Sequence, residues 1–586
     1  MLKIFKYLNK KEWIMTGICL AFIVAQVWLD LKLPDFMAEI TRLVETPGSQ
    51  MSDIWIQGAW MLLCALGSLT SAIVIVFFSA KIGSSFAQHL RSKIYDKIDT
   101  FSAGEINKFS TASLLTRSTN DITQIQQIIT IGLQMIVKAP ILVVWALVKI
   151  SGKGFEWSVA TGIASLIVVI MVASLLIFVI PKFKKMQRLT DNINRITREN
   201  LTGLAVVRAY NAEYYQEAKF ERANDELTKT QLFTSKGMSI LTPFMSFIMN
   251  GLTLAIYIIG AVLINGAING QLTIFSNMVI FSSYAMQVVM AFMIIAGMFN
   301  ILPRAQVSAN RINEVLDTEL SIKDGTRTEG EAGHTGEIEF RNVSFKYPEA
   351  ADYVLKGINF SVQSGETVSF IGSTGSGKST LINLILRFFD ATTGEILIDG
   401  VNVKEYTLEA LHEKIGYVPQ KAVMFSGTVA SNVALGEQEE TEESTEEDIR
   451  SAVKIAQGKD FVENMKGGYS AEIARGGSNV SGGQKQRLAI ARAICKKPEI
   501  YIFDDSFSAL DYKTDRNLRT ALKKETSGTT NIIVAQRIGT IKDADKIIVI
   551  DEGRLAGMGT HKELLKNCAV YKEIAMSQLS EEELAS

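Results

Sequence analysis

Cysteine and histidine are scarce in this chain, four of each among 586 residues. The cysteines, Cys19, Cys64, Cys495 and Cys568, form no Cys-x-x-Cys pair, so a disulfide framework or a zinc site has no basis. Charge of one sign is also missing. Lys and Arg number 60 against 61 Asp and Glu, for a formal net charge of −1, which excludes a nucleic-acid coat or a polybasic surface protein. A 47% hydrophobic fraction excludes a disordered chain. Chemistry must therefore come from carboxylates, backbone amides and bound cofactors.

What is present in excess is apolar sequence, unevenly placed, and mean hydropathy is +0.18. Runs long enough to cross a ~30 Å hydrocarbon core occupy about residues 13–33, 57–80, 129–150, 157–181, 240–264 and 275–302. The second half carries strand-sized runs instead, Thr367–Ile371, Ile500–Phe503 and Lys546–Ile550, each bounded by polar or glycine positions. The organisation expected is a membrane domain over 1–317, a linker over 318–336, a soluble domain over 337–578 and an acidic tail over 579–586. The run Glu437–Asp448 reads as a solvated acidic insertion.

Loop charge orients the spans. Lys3, Lys6, Lys10 and Lys11, then Lys81, Arg91, Lys93 and Lys97, then Lys182, Lys184, Lys185 and Arg188 are basic, whereas Asp35, Glu39, Glu45 and Asp53 face Arg42 alone between the first two spans. Cytoplasmic loops hold the excess of Lys and Arg. The expectation is a multi-pass protein of the cell membrane, in contact with its lipids, with both termini and the soluble domain in the cytoplasm.

Gly372-Ser373-Thr374-Gly375-Ser376-Gly377-Lys378-Ser379 fits G-x-x-x-x-G-K-[ST] between the strand-like Thr367–Ile371 and a helix-like Thr380–Phe389. Glycines let backbone N–H groups face phosphates, the lysine adds charge and the serine hydroxyl can ligate Mg²⁺. Ile500-Tyr-Ile-Phe-Asp504 is a strand-like run ending on a carboxylate suited to the same ion.

Between these lies Val480-Ser481-Gly482-Gly483-Gln484, and with Gln420 in Tyr-Val-Pro-Gln, Tyr347 in Phe-Lys-Tyr-Pro and Asp511 in Ser-Ala-Leu-Asp the half resembles an ATP-binding-cassette domain. The resemblance implies ATP and Mg²⁺ as cofactors. Residues 372 to Thr380 would hold the nucleotide, Tyr347 would stack on adenine, Ser379, Gln420 and Asp504 would face the metal, Ser481–Gln484 would form the signature and Asp511 would lie in the D-loop. Taken alone Tyr347 would be a packing tyrosine, and its place ahead of the P-loop favours the stacking reading. With six spans ahead of one cassette, the whole chain resembles an exporter-type half-transporter, an all-α six-helix transmembrane domain followed by an α/β P-loop cassette. Thr111–Asp121 and Asn200–Tyr210 resemble the stretches that hold the family's two coupling helices. Ile473-Ala-Arg475-Gly-Gly departs from the family's pattern just before the signature.

Two further departures bear on mechanism. Asp505 stands where hydrolytic members of the family carry Glu, and Gln536 where they carry a switch-loop His. Asp is a methylene shorter, and a neutral amide cannot carry an imidazole's proton. Family sites form between two cassettes, so the combination implies a heterodimer in which this chain's P-loop site is weak and its signature serves a partner half-transporter with intact Glu and His. The homodimer remains a second reading. Spans five and six supply Phe244, Asn250, Gln287 and Met290 as candidates for contact with amphipathic cargo, though helix packing also explains such residues. Lys138 within the third span is either functional or a packing residue. The leading function is an ATP-driven exporter subunit for drugs, lipids or peptides, with no nucleic-acid partner. An ATP-gated regulatory or channel-like protein, or an exporter-fold importer, stays open beside it.

Overall fold

The computed structural model describes residues 2–46, 48–150, 154–267, 270–298, 302–348, 350–435 and 445–579. Most of the acidic run after Leu435 and all but the first residue of the acidic tail lie outside them. Glu446–Asp448 is the first turn of a helix, Glu446–Ile455, capped by Thr445. The chain divides into two compact units: Met1–Asp99 with Thr111–Thr318, and Thr100–Ser110 with Glu319–Ser586.

The first unit is all helix. Two long antiparallel helices, α1 (Lys10–Glu45) and α2 (Met51–Asp99), are followed by α3 (Ala103–Phe109), which belongs to the second unit. Next come α4 (Thr111–Thr116), α5 (Ile122–Gly132) and α6 (Lys138–Ile150), joined through π-helical turns at Arg117–Asp121 and Leu133–Val137. The second π turn sits just ahead of Pro140, which has no N–H to close the ladder. Then follow α7 (Phe155–Thr202), α8 (Leu204–Ala209), α9 (Glu213–Ser239), α10 (Leu241–Gly266), α11 (Gln271–Met298) and α12 (Leu302–Leu316). Among the described residues, six helical stretches are long and apolar enough to span a bilayer.

In α2 the buried positions Ser68, Ser71, Ile75, Ser79, Ile82, Phe86 and Leu90 form one helical stripe. On its other side Leu62, Leu63, Leu66, Leu69, Ile73 and Phe77 are at least half exposed, a surface that acyl chains accept and water does not. Small residues let helices close up, and a Cβ on Gly83 would lie 2.4 Å from Thr130 Oγ1 on α5. Lys138 is paired. Its Nζ lies 3.1 Å from Asp30 Oδ2 on α1, and Ser68 donates to the other Asp30 oxygen. Deeper along α6, Lys149 meets Asp35 at 2.8 Å, where Tyr284 of α11 also donates. These pairs tie α1, α2, α6 and α11 together, which gives Lys138 the polar-satisfaction role rather than leaving an uncompensated charge.

The second unit contains two main sheets. An antiparallel one has the order β2-β1-β4-β5, from β1 (Ile338–Phe345), β2 (Leu355–Val362), β4 (Thr393–Ile398) and β5 (Val401–Asn402). A mostly parallel one has the order β12-β11-β3-β10-β9-β6, from β3 (Thr367–Ile371), β6 (Ile415–Val418), β9 (Ile500–Asp504), β10 (Thr530–Val534), β11 (Lys546–Asp551) and the antiparallel edge β12 (Arg554–Gly559). A short ribbon pairs β7 (Gly427–Thr428) with β8 (Glu472–Ile473). One apolar core, including Phe340, Phe360, Phe370, Leu381 and Ile532, fills the space between the two main sheets.

The expected linker is held against this unit. Gly325 N–H bonds to Tyr406 O, and Thr326 and Arg327 N–H to Glu405 O. The segment bearing α3 is held as well. Glu105, 6% exposed, accepts from Ser102 N at 2.8 Å and Ser321 N at 2.9 Å. Burial pushes its carboxyl up, but the hydrogen bonds from Ser102 and Ser321 outweigh it and hold the group at about 2.

Candidate nucleotide site

Register builds this site. Val534 at the end of β10 lies opposite both Phe370 of β3 and Asp504 of β9, and Phe503 opposite Val418 of β6. The carboxyl ends of four parallel strands therefore deliver Gly372, Gln420, Asp504 with Asp505, and Gln536 to one edge. Open α/β sheets bind ligands at this edge.

After β3 the chain needs glycine. A Cβ on Gly372 would lie 2.0 Å from Ile550 O, and Gly377 has φ 107° with Leu355 Cδ2 2.7 Å from where its Cβ would sit. Ser373, Thr374 and Gly375 are exposed at the crest, and Ser376 N–H closes the turn onto Ser373 O at 3.2 Å. The following helix, α13 (Lys378–Ile385), is shorter than expected from Thr380–Phe389. It stops because Arg387 adopts φ 52° and its guanidinium is drawn to Tyr406 O and Lys323 O.

The first-turn N–H groups of α13 have no intrahelical acceptor and face an incoming anion. Lys378 Nζ donates to Gly372 O and Ser373 O, each at 2.8 Å. Burial depresses its pKa, opposed by Asp505 and Asp504. Tyr347 OH lies 3.1 Å from Thr380 Oγ1, and its ring stands edge-on to Phe345 and Phe389. Tyr347 thus both packs and remains half-buried beside the loop.

Asp504 is 6% exposed. Burial pushes its carboxyl above the usual range against a 3.5 Å hydrogen bond from Ser379 Oγ, and the neighbouring Asp505 adds to the rise. Asp505 has the left-handed φ of 48°, which swings its side chain out of the strand line. Its Oδ2 accepts from Gln420 Nε2 at 3.2 Å and from Gln536 Nε2 at 3.1 Å. Burial raises the Asp505 carboxyl too, opposed first by the Gln420 hydrogen bond and then by Arg537 and Lys378. Three positions scattered in the sequence thus close on one oxygen.

The hard oxygens of Ser379, Asp504 and the Gln420 amide fit Mg²⁺, which is held by few protein ligands plus substrate phosphates.

Ser481 caps the helix Gly482–Cys495. Its Oγ accepts from Gln484 N, and Gln484 Oε1 accepts from Ser481 N at 2.8 Å, so the glutamine carbonyl oxygen is spent on the cap. Gly482 is exposed, with nothing within 4 Å of a built Cβ. Asp511 caps Tyr512–Glu525 through Thr514 N. In the first unit, Phe244 and Asn250 lie on α10 and Gln287 and Met290 on α11. Phe244 packs partly on the core, Asn250 and Met290 are exposed, and Gln287 Oε1 is buried without a hydrogen-bond partner. The first expected coupling stretch, Thr111–Asp121, folds as α4 and a π turn in the first unit, whereas α3 just before it clusters with the second. Asn200–Tyr210 contains α8.

Residues 16–292 match the family described as ABC transporter transmembrane region, and residues 355–508 the one described as ABC transporter. An uncharacterized ABC transporter ATP-binding protein of Mycobacterium tuberculosis is 38% identical over 521 residues, 88% of this chain and 86% of its own length. One from Bacillus subtilis is 32% identical over 578 residues, 97% of each chain. The ATP-dependent lipid A-core flippase of Syntrophus aciditrophicus is 30% identical over 515 residues, 86% of this chain and 82% of its own. Among solved structures, a bacterial Atm1-family ABC exporter with ATP bound has a TM-score of 0.78 at 25% identity, covering 97% of this chain and all of that one.

Proposed function

The chain belongs to the ABC transporter family and has the fold of its ATP-driven exporters, and from that premise we propose that it is one half of a heterodimer whose own nucleotide site holds ATP and scarcely cleaves it, while Ser481–Gln484 completes the productive site of a partner. The observation that carries this is the double engagement of Asp505 Oδ2 by Gln420 and Gln536. Two amide donors on Oδ2 fix where this short carboxylate points, and losing a base aimed at water in reach of the phosphate costs about 10²–10⁴-fold. Asp505 is short by a methylene, and its carboxylate serves instead as the tie between two loops.

Bound Mg²⁺ would draw charge from the phosphate oxygens, held by Ser379, Asp504 and Gln420. Lys378 and the α13 N–H groups bind and orient the phosphates, and Tyr347 borders the base. Two exposed features support a dimer. The cap of Gly482–Cys495 presents a hydroxyl and N–H groups outward, suited to a γ-phosphate on another chain. Leu201, Val206, Tyr210, Tyr214 and Tyr215 are all more than 60% exposed around α8, an apolar tip beyond the spans that fits a second subunit.

The proposed cargo is amphipathic, in line with the flippase relative, with Phe244 and Met290 meeting its apolar body and Asn250 and the unpartnered Gln287 Oε1 its polar groups. The basic loops support a cell-membrane orientation with both termini and the cassette in the cytoplasm. The test is co-expression with a companion half-transporter that carries Glu and His at the corresponding positions. ATPase activity should appear in the purified pair and be abolished by removing the companion's Glu. Equal activity in this chain purified alone would overturn the heterodimer.

A further inference from the structure

The first described residues form a built cationic surface that the nucleotide chemistry does not use. Leu2–Tyr7 is a 3₁₀ segment pinned by Ile4, which is fully buried. Tyr7 gathers two ammonium groups: Lys6 Nζ lies 4.9 Å and Lys93 Nζ, from α2, 5.0 Å from its ring centroid. Lys10 and Lys11 open α1 beside them, and the next exposed residues are Trp13 and Ile14, 57% and 65% exposed, where the apolar run begins.

Among the described residues, none of Lys6, Lys10, Lys11 and Lys93 forms an ion pair. Two neighbouring carboxylates are otherwise engaged. Glu12 is buried and accepts from Asn9 N and Ser85 Oγ, and Asp317, just after α12, lies 3.9 Å from Lys3. Like charges crowded around one aromatic ring without a carboxylate are costly unless an anion joins them. The surface also sits where the apolar helix enters the membrane, so a bilayer headgroup layer is its necessary neighbour, and an exposed tryptophan marks that layer.

We propose that Lys6, Lys10, Lys11 and Lys93 bind the headgroups of anionic phospholipids in the leaflet on the cassette's side, with Trp13 and Ile14 among the acyl chains. This rests on the orientation given above, in which that leaflet is cytoplasmic and carries negative surface charge. Because the segment packs between α2 and α12, lipid bound there also holds Leu2–Tyr7 against the helix that leads to the cassette.

The test uses the full chain in nanodiscs, with spin-labelled phosphatidylglycerol or phosphatidylcholine as probe. The wild-type chain should associate preferentially with phosphatidylglycerol, in a salt-sensitive way. The triple variant Lys6→Gln, Lys10→Gln, Lys11→Gln should lose about a hundredfold of that preference, on roughly fivefold per cation at an anionic surface. The matching Lys→Arg triple should keep it, which separates charge from folding, and both triples should still bind ATP.

Equal association of the two lipids with wild type, or full preference in the Gln triple, would overturn the proposal. Displacement of the lipid by inorganic phosphate would overturn it in favour of a free-anion site. Orientation is read separately, by labelling Lys3→Cys with a membrane-impermeant maleimide in sealed vesicles. If it labels from the side opposite the cassette, the orientation fails, whereas nanodiscs expose both faces and still decide the lipid preference.

Discussion

Replacing Asp505 with Glu and Gln536 with His should raise hydrolysis at this chain's own site, but only in part. The added methylene moves the carboxylate outward by about 1.5 Å, beyond the place where Gln420 Nε2 and Gln536 Nε2 now meet Asp505 Oδ2 at 3.2 and 3.1 Å. Changing Gln536 removes one of those donors and supplies an imidazole able to contact the γ-phosphate. The gain available from a restored base is about 10²–10⁴-fold. Gln420 remains to compete for the new carboxylate, and the backbone at 505 keeps its φ of 48° under the Ser508 Oγ hydrogen bond to Asp505 O. An increase toward the lower end of that range is therefore expected. The single substitutions should each give less than their share, because base and switch residue act as a unit. The assay is single-turnover cleavage of radiolabelled ATP with the partner's catalytic Glu removed, so that one site is read. No increase, with ATP still bound, would show that Asp505 and Gln536 are not what slows the site.

Gly482→Asp should suppress hydrolysis at the partner's P-loop while leaving ATP binding at Lys378 intact, since the position is open and the added charge repels phosphate; equilibrium binding measured beside ATPase activity checks both. Lys138→Met should destabilise the first unit by about 1–3 kcal/mol, less than a fully buried pair would lose because both side chains are about a quarter exposed, and adding Asp30→Asn should recover most of it in thermal unfolding in detergent. Glu105 is held at about 2 against an ordinary 4.5, so its contribution to stability is full above pH 4.5 and is lost as pH falls toward 2; wild type should out-melt Glu105→Gln at neutral pH by a margin that shrinks through that window, and a constant margin would refute the assignment.

Much of this could be read in advance because it depends on local pattern. Thr367–Ile371 is a strand because its apolar β-formers abut a glycine loop whose close approach to Ile550 O admits no side chain. The six apolar runs declare themselves by length. Pairings made by distant residues stayed hidden. Asp30 and Lys138 lie in the first and third apolar runs, and neither run encodes which helices stand side by side, so their 3.1 Å pair emerges only in the folded bundle. The anchorage of α3 is equally non-local: the capping box of Ser102 and Glu105 is written in one short segment, but the backbone N–H of Ser321 that secures it comes from far along the chain. The convergence of Gln420 and Gln536 on Asp505 depends on strand register, which no single segment encodes.

The most direct test of a site that holds ATP without cleaving it is the identity of the nucleotide it retains. The purified chain, which alone can form only sites with Asp505 and Gln536, is incubated with radiolabelled ATP and Mg²⁺, freed of unbound nucleotide, denatured, and its bound label resolved into ATP and ADP over time. The expected result is bound label that remains ATP long after a productive cassette would have converted it. Bound ADP and free phosphate appearing at the rate of an exporter with Glu and His in place would contradict it.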